Sequence, residues 1–372
     1  MIRALVLALC GLATAATAQD TAEAALRAVQ QLEAASISLQ EAGSGRDRIS
    51  ALTETVQAYE AGMAAMRDGL RRAAIRERTL TRDLNTQSDE VAQLLGVLQR
   101  MGQAPTPLLL LHPSGPTGTA RSGMMLADVT PGLQAKVDVL RAQLEEVAIL
   151  RQLQGDALAT LEQGLAGAQE ARTALSEAVS DRTDLPRRFS DDPVKTALLL
   201  ASTETLAAFA SSLAEIEAET GAPPAPDATA LKGQLALPVD GTVLRGFGDA
   251  DAAGIERPGI VIATAPRALV TAPAAATIRY SGPLLDYGNV LILEPAQDVL
   301  WVLAGLAQVF GEIGQVLPEG APVGLMGGDL SDAQAILTES RQGAASTRPE
   351  SLYLEVRDGQ GAVDPATWFA YD

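Results

Sequence analysis

Histidine and cysteine are almost missing from this chain, with one of each in 372 residues. Cys10 lies inside an N-terminal apolar run, and His112 stands alone among prolines and leucines. A protein zinc site draws on Cys, His and carboxylates, and a catalytic one normally needs three protein ligands. Ser–His–Asp and Cys–His nucleophiles need a histidine as well. Lysine is nearly absent too, with only Lys136, Lys195 and Lys232. The 28 basic residues against 46 acidic ones leave a net charge of −18, which argues against binding a phosphate backbone. Aromatics make up only 3% of the chain, and the abundance of Ala and Leu favours long helices over an all-β chain.

The N-terminus, MIRALVLALCGLATAATAQD, has Arg3, an apolar run over 4–13 and Ala16-Thr17-Ala18. That pattern predicts a secretory signal cut after Ala18. The run is too short to span a bilayer. Leu9, ahead of Cys10, is not the small residue lipidation would need. The expected mature protein is exported, cysteine-free and periplasmic.

From Ile49 a heptad seam runs through Leu52, Val56, Tyr59, Met63, Met66, Leu70 and Ala73, and resumes at Leu80, Leu84, Val91, Leu95 and Leu98. Gly102, Pro105, Pro107, Pro113, Pro116, Gly118 and Pro131 predict a tip over about 102–132 that ends one helix and begins another. The tip includes LLLLH, 108–112, expected to fold back onto the helices. A second seam follows: Leu133, Val137, Leu140, Leu144 and Val147, then Leu158, Leu161, Leu165, Ala168, Leu175 and Val179. Together these predict an antiparallel coiled-coil hairpin. A third helix is expected from Asp191-Asp192-Pro193 to about Glu219, with Leu198, Leu199, Leu206, Phe209, Leu213 and Ile216 on one face. GAPPAPDATA, 221–230, reads as a linker.

Past Gly233 the period shortens. Runs such as Ile260-Val261-Ile262, Val290-Leu291-Ile292 and Leu300-Trp301-Val302, divided by Gly, Pro and Asp, predict a compact all-β domain. A polar stretch at 329–347 interrupts it. The fold class is α + β multidomain. Its expected parts are a signal over 1–18, a hairpin over 19–188, a helical segment over 189–220, a linker over 221–232 and a β domain over 233–372.

Within the β domain, Leu237-Pro238-Val239 with Gly241 and Gly246-Phe247-Gly248 resemble the opening of LytM (lysostaphin-like) peptidoglycan endopeptidase domains. Arg257-Pro258-Gly259-Ile260-Val261-Ile262 resembles that family's H-x-G-I-D-I segment. Asp286-Tyr287-Gly288-Asn289-Val290 resembles its Y-G-N strand. Ser351-Leu352-Tyr353-Leu354-Glu355-Val356-Arg357 resembles H-L-H-F-E-V-R, and Val363-Asp364-Pro365 its usual ending. Carried across, the metal-ligand positions hold Arg257, Val261 and Tyr353, and the assisting histidines fall near Gly305 and at Ser351. No catalytic residue, metal or cofactor is expected.

A ligand-free LytM-like domain behind an exported hairpin is similar to the EnvC group of amidase activators. The likeness extends to Leu108–Met125, with Arg121-Ser122, which is similar to that group's hairpin tip. It implies a hairpin docked on the periplasmic domain of FtsX in the FtsE–FtsX division complex. It also implies a β domain that switches on N-acetylmuramoyl-L-alanine amidases for septal peptidoglycan splitting, with a helical segment covering the groove until release. Arg257, Tyr287, Tyr353 and Arg357 are the expected partner-binding residues, since Tyr and Arg are enriched at interface hot spots. Tyr353 and Arg357 would share one face of a strand. The cover would come from 192–219 or 329–347. Peptidoglycan is a second candidate partner; nucleic acid is not. The rival readings are a peptidoglycan-binding module or a periplasmic transport adaptor. For the adaptor, Val270-Thr271-Ala272-Pro273 and the Gly314–Gly324 turns resemble lipoyl-type half-motifs, but both helices precede the whole β region.

Overall fold

The computed structural model describes residues 23–24, 26–102, 115–189, 193–203, 205–214, 223–250, 254, 256–329, 335–336, 338, 350–359 and 361–371. The predicted signal, the 103–114 part of the tip with LLLLH, and most of 329–347 lie outside them. Two compact units result: residues 1–65, 163–332 and 345–372 in one, and 66–162 with 333–344 in the other.

Helix α1 covers 26–41, α2 Gly45–Gly102 and α3 Gly115–Ser180. Ser44 starts α2 by accepting the Asp47 amide at 3.2 Å on its hydroxyl, which satisfies one of the first-turn donors. The tip is shorter than the prolines suggested. Helix α3 begins at Gly115 and carries Pro131 in its interior. A mid-helix proline removes one backbone bond, and here long helix on both sides carries the interruption.

In the larger unit, Ile49, Leu52, Val56, Ala171 and Leu175 form one apolar cluster between α2 and α3. Tyr59 packs so tightly on Gly167 that a Cβ there would meet the phenol at 2.5 Å. In the smaller unit Leu80, Leu84 and Val147 are buried together. Arg76 there pairs with Glu146 at 2.8 Å and Arg151 with Glu77 at 2.7 Å. In the larger unit Glu60 pairs with Arg172 and Met63 lies against Gly164, so the position on α3 falls as the number on α2 rises and the helices run antiparallel. The second seam differs from expectation. Val137 and Leu144 are exposed. The heptad slot between Val147 and Leu161 is held by the buried Gln154, whose amide donates to Glu77 at 3.1 Å.

Among the described residues the β domain has ten strands, all paired antiparallel. They are β1 Gly241–Arg245, β2 Ile260–Thr264, β3 Leu269–Thr271, β4 Ala276–Pro283, β5 Asn289–Ala296, β6 Val299–Val309, β7 Val316–Leu317, β8 Pro322–Met326, β9 Glu350–Asp358 and β10 Gly361–Val363. The main path is β1-β2-β9-β6-β5-β4-β7, with β10 on β9, and β8 joining β3 to β6. One face buries Ile260, Ile262, Leu291, Leu293, Trp301, Leu303, Leu352, Leu354 and Val356 against Trp368 and Phe369. The opposite face buries Val290, Ile292, Leu300, Val302 and Ala304. The central strands therefore read as unbroken apolar runs rather than alternating ones, as strands buried on both faces do.

That second face is covered by the segment after the hairpin. Where one helix was expected there are two: α4 Pro193–Ser202 and α5 Leu206–Ala214. The break falls after Ser202, where Thr203 and Thr205 are outside either helix. The Thr203 hydroxyl donates back to the Leu199 carbonyl at 2.6 Å, and Thr205 accepts the Ala208 amide at 3.1 Å as a fresh N-cap. Hydroxyls that bond the local backbone compete with helix continuation.

Candidate functional site

The sequence positions singled out above meet at β2, β9 and β6. Val261 pairs directly with Tyr353, and Tyr353 in turn with Ala304, beside Gly305. Gly259 lies beneath the Tyr353 ring: a Cβ there would sit 2.7 Å from it and 2.6 Å from the Leu354 carbonyl. Gly305 has φ +93, and a Cβ would stand 2.7 Å from the Ser351 carbonyl. Residues from 257–261, 304–305 and 351–353, remote in sequence, thus occupy one patch of the sheet.

Tyr287 and Tyr353 have ring centroids 6.3 Å apart, tilted at 42°, and the Arg257 guanidinium lies 5.5 Å over the Tyr287 ring. Arg257, Val261, Tyr287 and Tyr353 are all half-buried. The loop carrying Tyr287 is strained, since Leu285 takes φ +46, a conformation costly for a branched side chain, and is half exposed.

Alternation along β9 puts Tyr353, Glu355 and Arg357 on one face. The Tyr353 hydroxyl donates to Glu355 Oε2 at 2.8 Å, and Arg357 Nη1 donates to Glu355 Oε1 at 2.8 Å. Burial, with the Glu355 carboxylate beside it, pushes the Tyr353 phenol well above its ordinary value, so it stays protonated and donating. Arg357 is only 4% exposed. Its Nη2 donates to Ser211 of α5 at 3.0 Å. Arg357 is therefore under the covering helix, whereas Arg257 and Tyr287 stand at the margin.

The cover is apolar in substance. Leu206, Phe209, Ala210 and Leu213 pack on Tyr280, Leu284, Val290, Ile292, Leu300, Val302 and Ala304, with Tyr287 and Tyr353 along the edge. Phe209 meets Tyr280 edge-on, with centroids 4.8 Å apart at 80°. At the end of α5, the Leu213 carbonyl accepts from Arg279 Nη2. Arg279 also donates to Glu294 Oε2 at 3.2 Å, and Arg188 donates to that same oxygen at 2.9 Å.

These residues do not fit a zinc ion. The positions where the LytM resemblance would place ligands hold a cation, an aliphatic group and a phenol committed to Glu355. Among the described residues no group of three His, Cys, Asp or Glu side chains could hold a metal. The quoted motifs pointed to Arg257, Tyr287, Tyr353 and Arg357. They did not point to Glu355, which ties Tyr353 to Arg357, although it stands in the same stretch. Nor did they point to Arg279 and Glu294, whose partners come from distant segments.

No family model matches the chain. Over 138 residues it is 28% identical to an uncharacterised protein of Neisseria meningitidis serogroup B, a match covering 37% of this chain and 20% of that protein. The chain thus spans about a fifth of that relative's length. Among solved structures it is similar to a candidate M23 peptidase of Pseudomonas aeruginosa, at 18% identity, TM-score 0.32, 50% of this chain and 65% of that one. It is similar also to the catalytic domain of the prophage-encoded M23 protein EnpA of Enterococcus faecalis, at 17% identity, TM-score 0.28, 37% of this chain and 98% of that one.

Proposed function

We propose that this protein is a non-catalytic, exported activator of N-acetylmuramoyl-L-alanine amidases, used in septal peptidoglycan splitting. Its β domain offers an altered peptidase cleft as a docking face for the amidase. The observation that carries the reading is the occupied sheet face: Val261 and Tyr353 pair where ligands are expected, and α5 lies over the adjoining apolar surface with Ser211 bonded to Arg357. A hydrolase cleft must admit substrate. This one holds a helix from its own chain, as expected of a binding surface kept shut until needed.

In this reading α4 and α5 are the cover, and the hairpin receives the release signal from the periplasmic domain of FtsX. Tyr287, Tyr353, Arg257 and Arg357 meet the amidase once the cover lifts. Tyr and Arg suit that role because they add flat contact area with hydrogen-bonding ends. The test is retention of a purified periplasmic amidase on immobilised protein. Chains lacking 192–219, or carrying Phe209→Asp, should retain it while the intact chain does not. Equal retention by all three, or by none, would remove the cover from the account.

A further inference from the structure

A buried charge cluster joins the end of the hairpin to the end of the cover. Just past α3, residues 186–189 run along β7: the Val316 amide donates to the Pro186 carbonyl and the Arg188 amide to the Gly314 carbonyl, both at 2.8 Å. Arg188 then turns inward. Its Nη1 donates to Thr277 at 3.1 Å and to Glu294 Oε2 at 2.9 Å. Arg279 shares that single oxygen and donates its other nitrogen to the Leu213 carbonyl of α5. Arg188, Arg279 and Glu294 are each under a tenth exposed. The Phe189 ring lies under both guanidiniums, 5.2 Å from Arg188 and 4.0 Å from Arg279.

One carboxylate thus faces two buried cations, and the second cation is completed by a helix C-terminus, the negative end of the helix dipole. Glu294 Oε2 accepts from both Arg188 and Arg279. Withdrawing Arg188 would leave the carboxylate charge to Arg279, and attraction between opposite charges is strong in a buried site. Drawing Arg279 further onto Glu294 pulls Nη2 away from the Leu213 carbonyl.

We infer that Arg188, Glu294 and Arg279 form a relay through which the 186–189 segment, continuous with the hairpin, controls how firmly α5 is held on the sheet. This rests on the reading of α4 and α5 as a cover. The relay passes the position of the hairpin's last residues to the cover by exchange of one carboxylate between two arginines. Among the described residues Arg188 bonds Thr277 and Glu294 and not α5, so its effect there passes through Glu294.

The test is hydrogen–deuterium exchange on the full chain, following 206–214 as the cover and 299–306 as the sheet. Arg188→Gln should speed exchange in 206–214 at least tenfold and leave 299–306 unchanged. In Arg188→Gln with Glu294→Gln the competing carboxylate is gone, Arg279 stays on the Leu213 carbonyl, and exchange should return to within about threefold of the parent. A single variant that leaves 206–214 within twofold overturns the relay. So does a double variant that opens as far as, or further than, the single. Should Arg188→Gln lose the sheet's protection, Arg188→Met takes its place, keeping much of the side chain's buried length but neither its charge nor its donors. It must open 206–214 at least threefold, and no opening in that folded variant overturns the relay. The activator reading is scored separately by amidase-dependent dye release. An Arg188→Gln chain that opens its cover without raising release keeps the relay and removes the activator.

Discussion

Removing the ring of Phe209 should open the cover without unfolding the sheet. Phe209 is fully buried and packs edge-on against Tyr280. Truncating a buried Phe to Ala costs about 3–5 kcal/mol through lost burial and the cavity left behind. Helix α5 has nine residues, below the length at which a helix is stable in water, so its order depends on that packing. Each ~1.4 kcal/mol is tenfold in an equilibrium constant, so even the lower figure raises the open population about a hundredfold. The low cysteine content supplies the assay. With Cys10→Ala, a single Ala210→Cys on the buried side of α5 can be labelled only when the helix lifts. Phe209→Ala should raise the labelling rate about a hundredfold in native buffer, with the sheet's denaturant midpoint little changed. A rise below about fivefold would refute the argument. So would labelling that tracks sheet unfolding across the denaturant series, since α5 would then be part of the core rather than a cover.

Three further outcomes follow from the same packing. Glu60 accepts from Arg172 at 2.8 Å and from the Leu269 amide at 3.1 Å, and burial holds its carboxyl above the ordinary value. A group with a raised folded pKa favours the fold most below its unfolded value and loses that contribution as pH rises through the folded one. Stability measured by denaturant should therefore fall from about pH 4.5 upward by a component that Glu60→Gln removes. Gly305→Ala, forced into positive φ against the Ser351 carbonyl, should destabilise the β domain by about 1–3 kcal/mol and lower its melting temperature, whereas Gly320→Ala, with φ +73 but no atom within 4 Å, should cost less. Ser211→Ala removes one bond to a buried guanidinium, a type worth about 1.5–3 kcal/mol. It should raise Ala210→Cys labelling by roughly tenfold to a hundredfold.

How much of this was legible in the sequence differs by region, for physical reasons. The first hairpin seam reads directly because its apolar residues follow the heptad and none of those described through Leu84 is exposed. The second seam misleads. Gln154 fills a core slot with an amide that needs Glu77, while Val137 and Leu144 are apolar and face outward. The break in the covering segment was present as Ser202-Thr203-Glu204-Thr205, a capping sequence inside an apolar helical pattern. The face under the cover also had a signal: an alternating sheet with one wet face would not contain Val290-Leu291-Ile292-Leu293 and Leu300-Trp301-Val302-Leu303, buried on both sides. The Arg188–Glu294–Arg279 cluster had none. Its members come from three segments, and although Arg279 and Glu294 stand in apolar strands, no spacing in the sequence says that they meet Arg188.

The central claim is that the domain activates another enzyme and does no hydrolysis itself. Dye release from labelled peptidoglycan tests it most directly, with a purified periplasmic amidase, this chain intact or lacking 192–219, and each protein alone. The account predicts release when amidase and the opened chain are together, little with the intact chain, and none from either form of this chain by itself. Release by this chain without amidase, or an amidase rate unaffected by the opened chain, would contradict it.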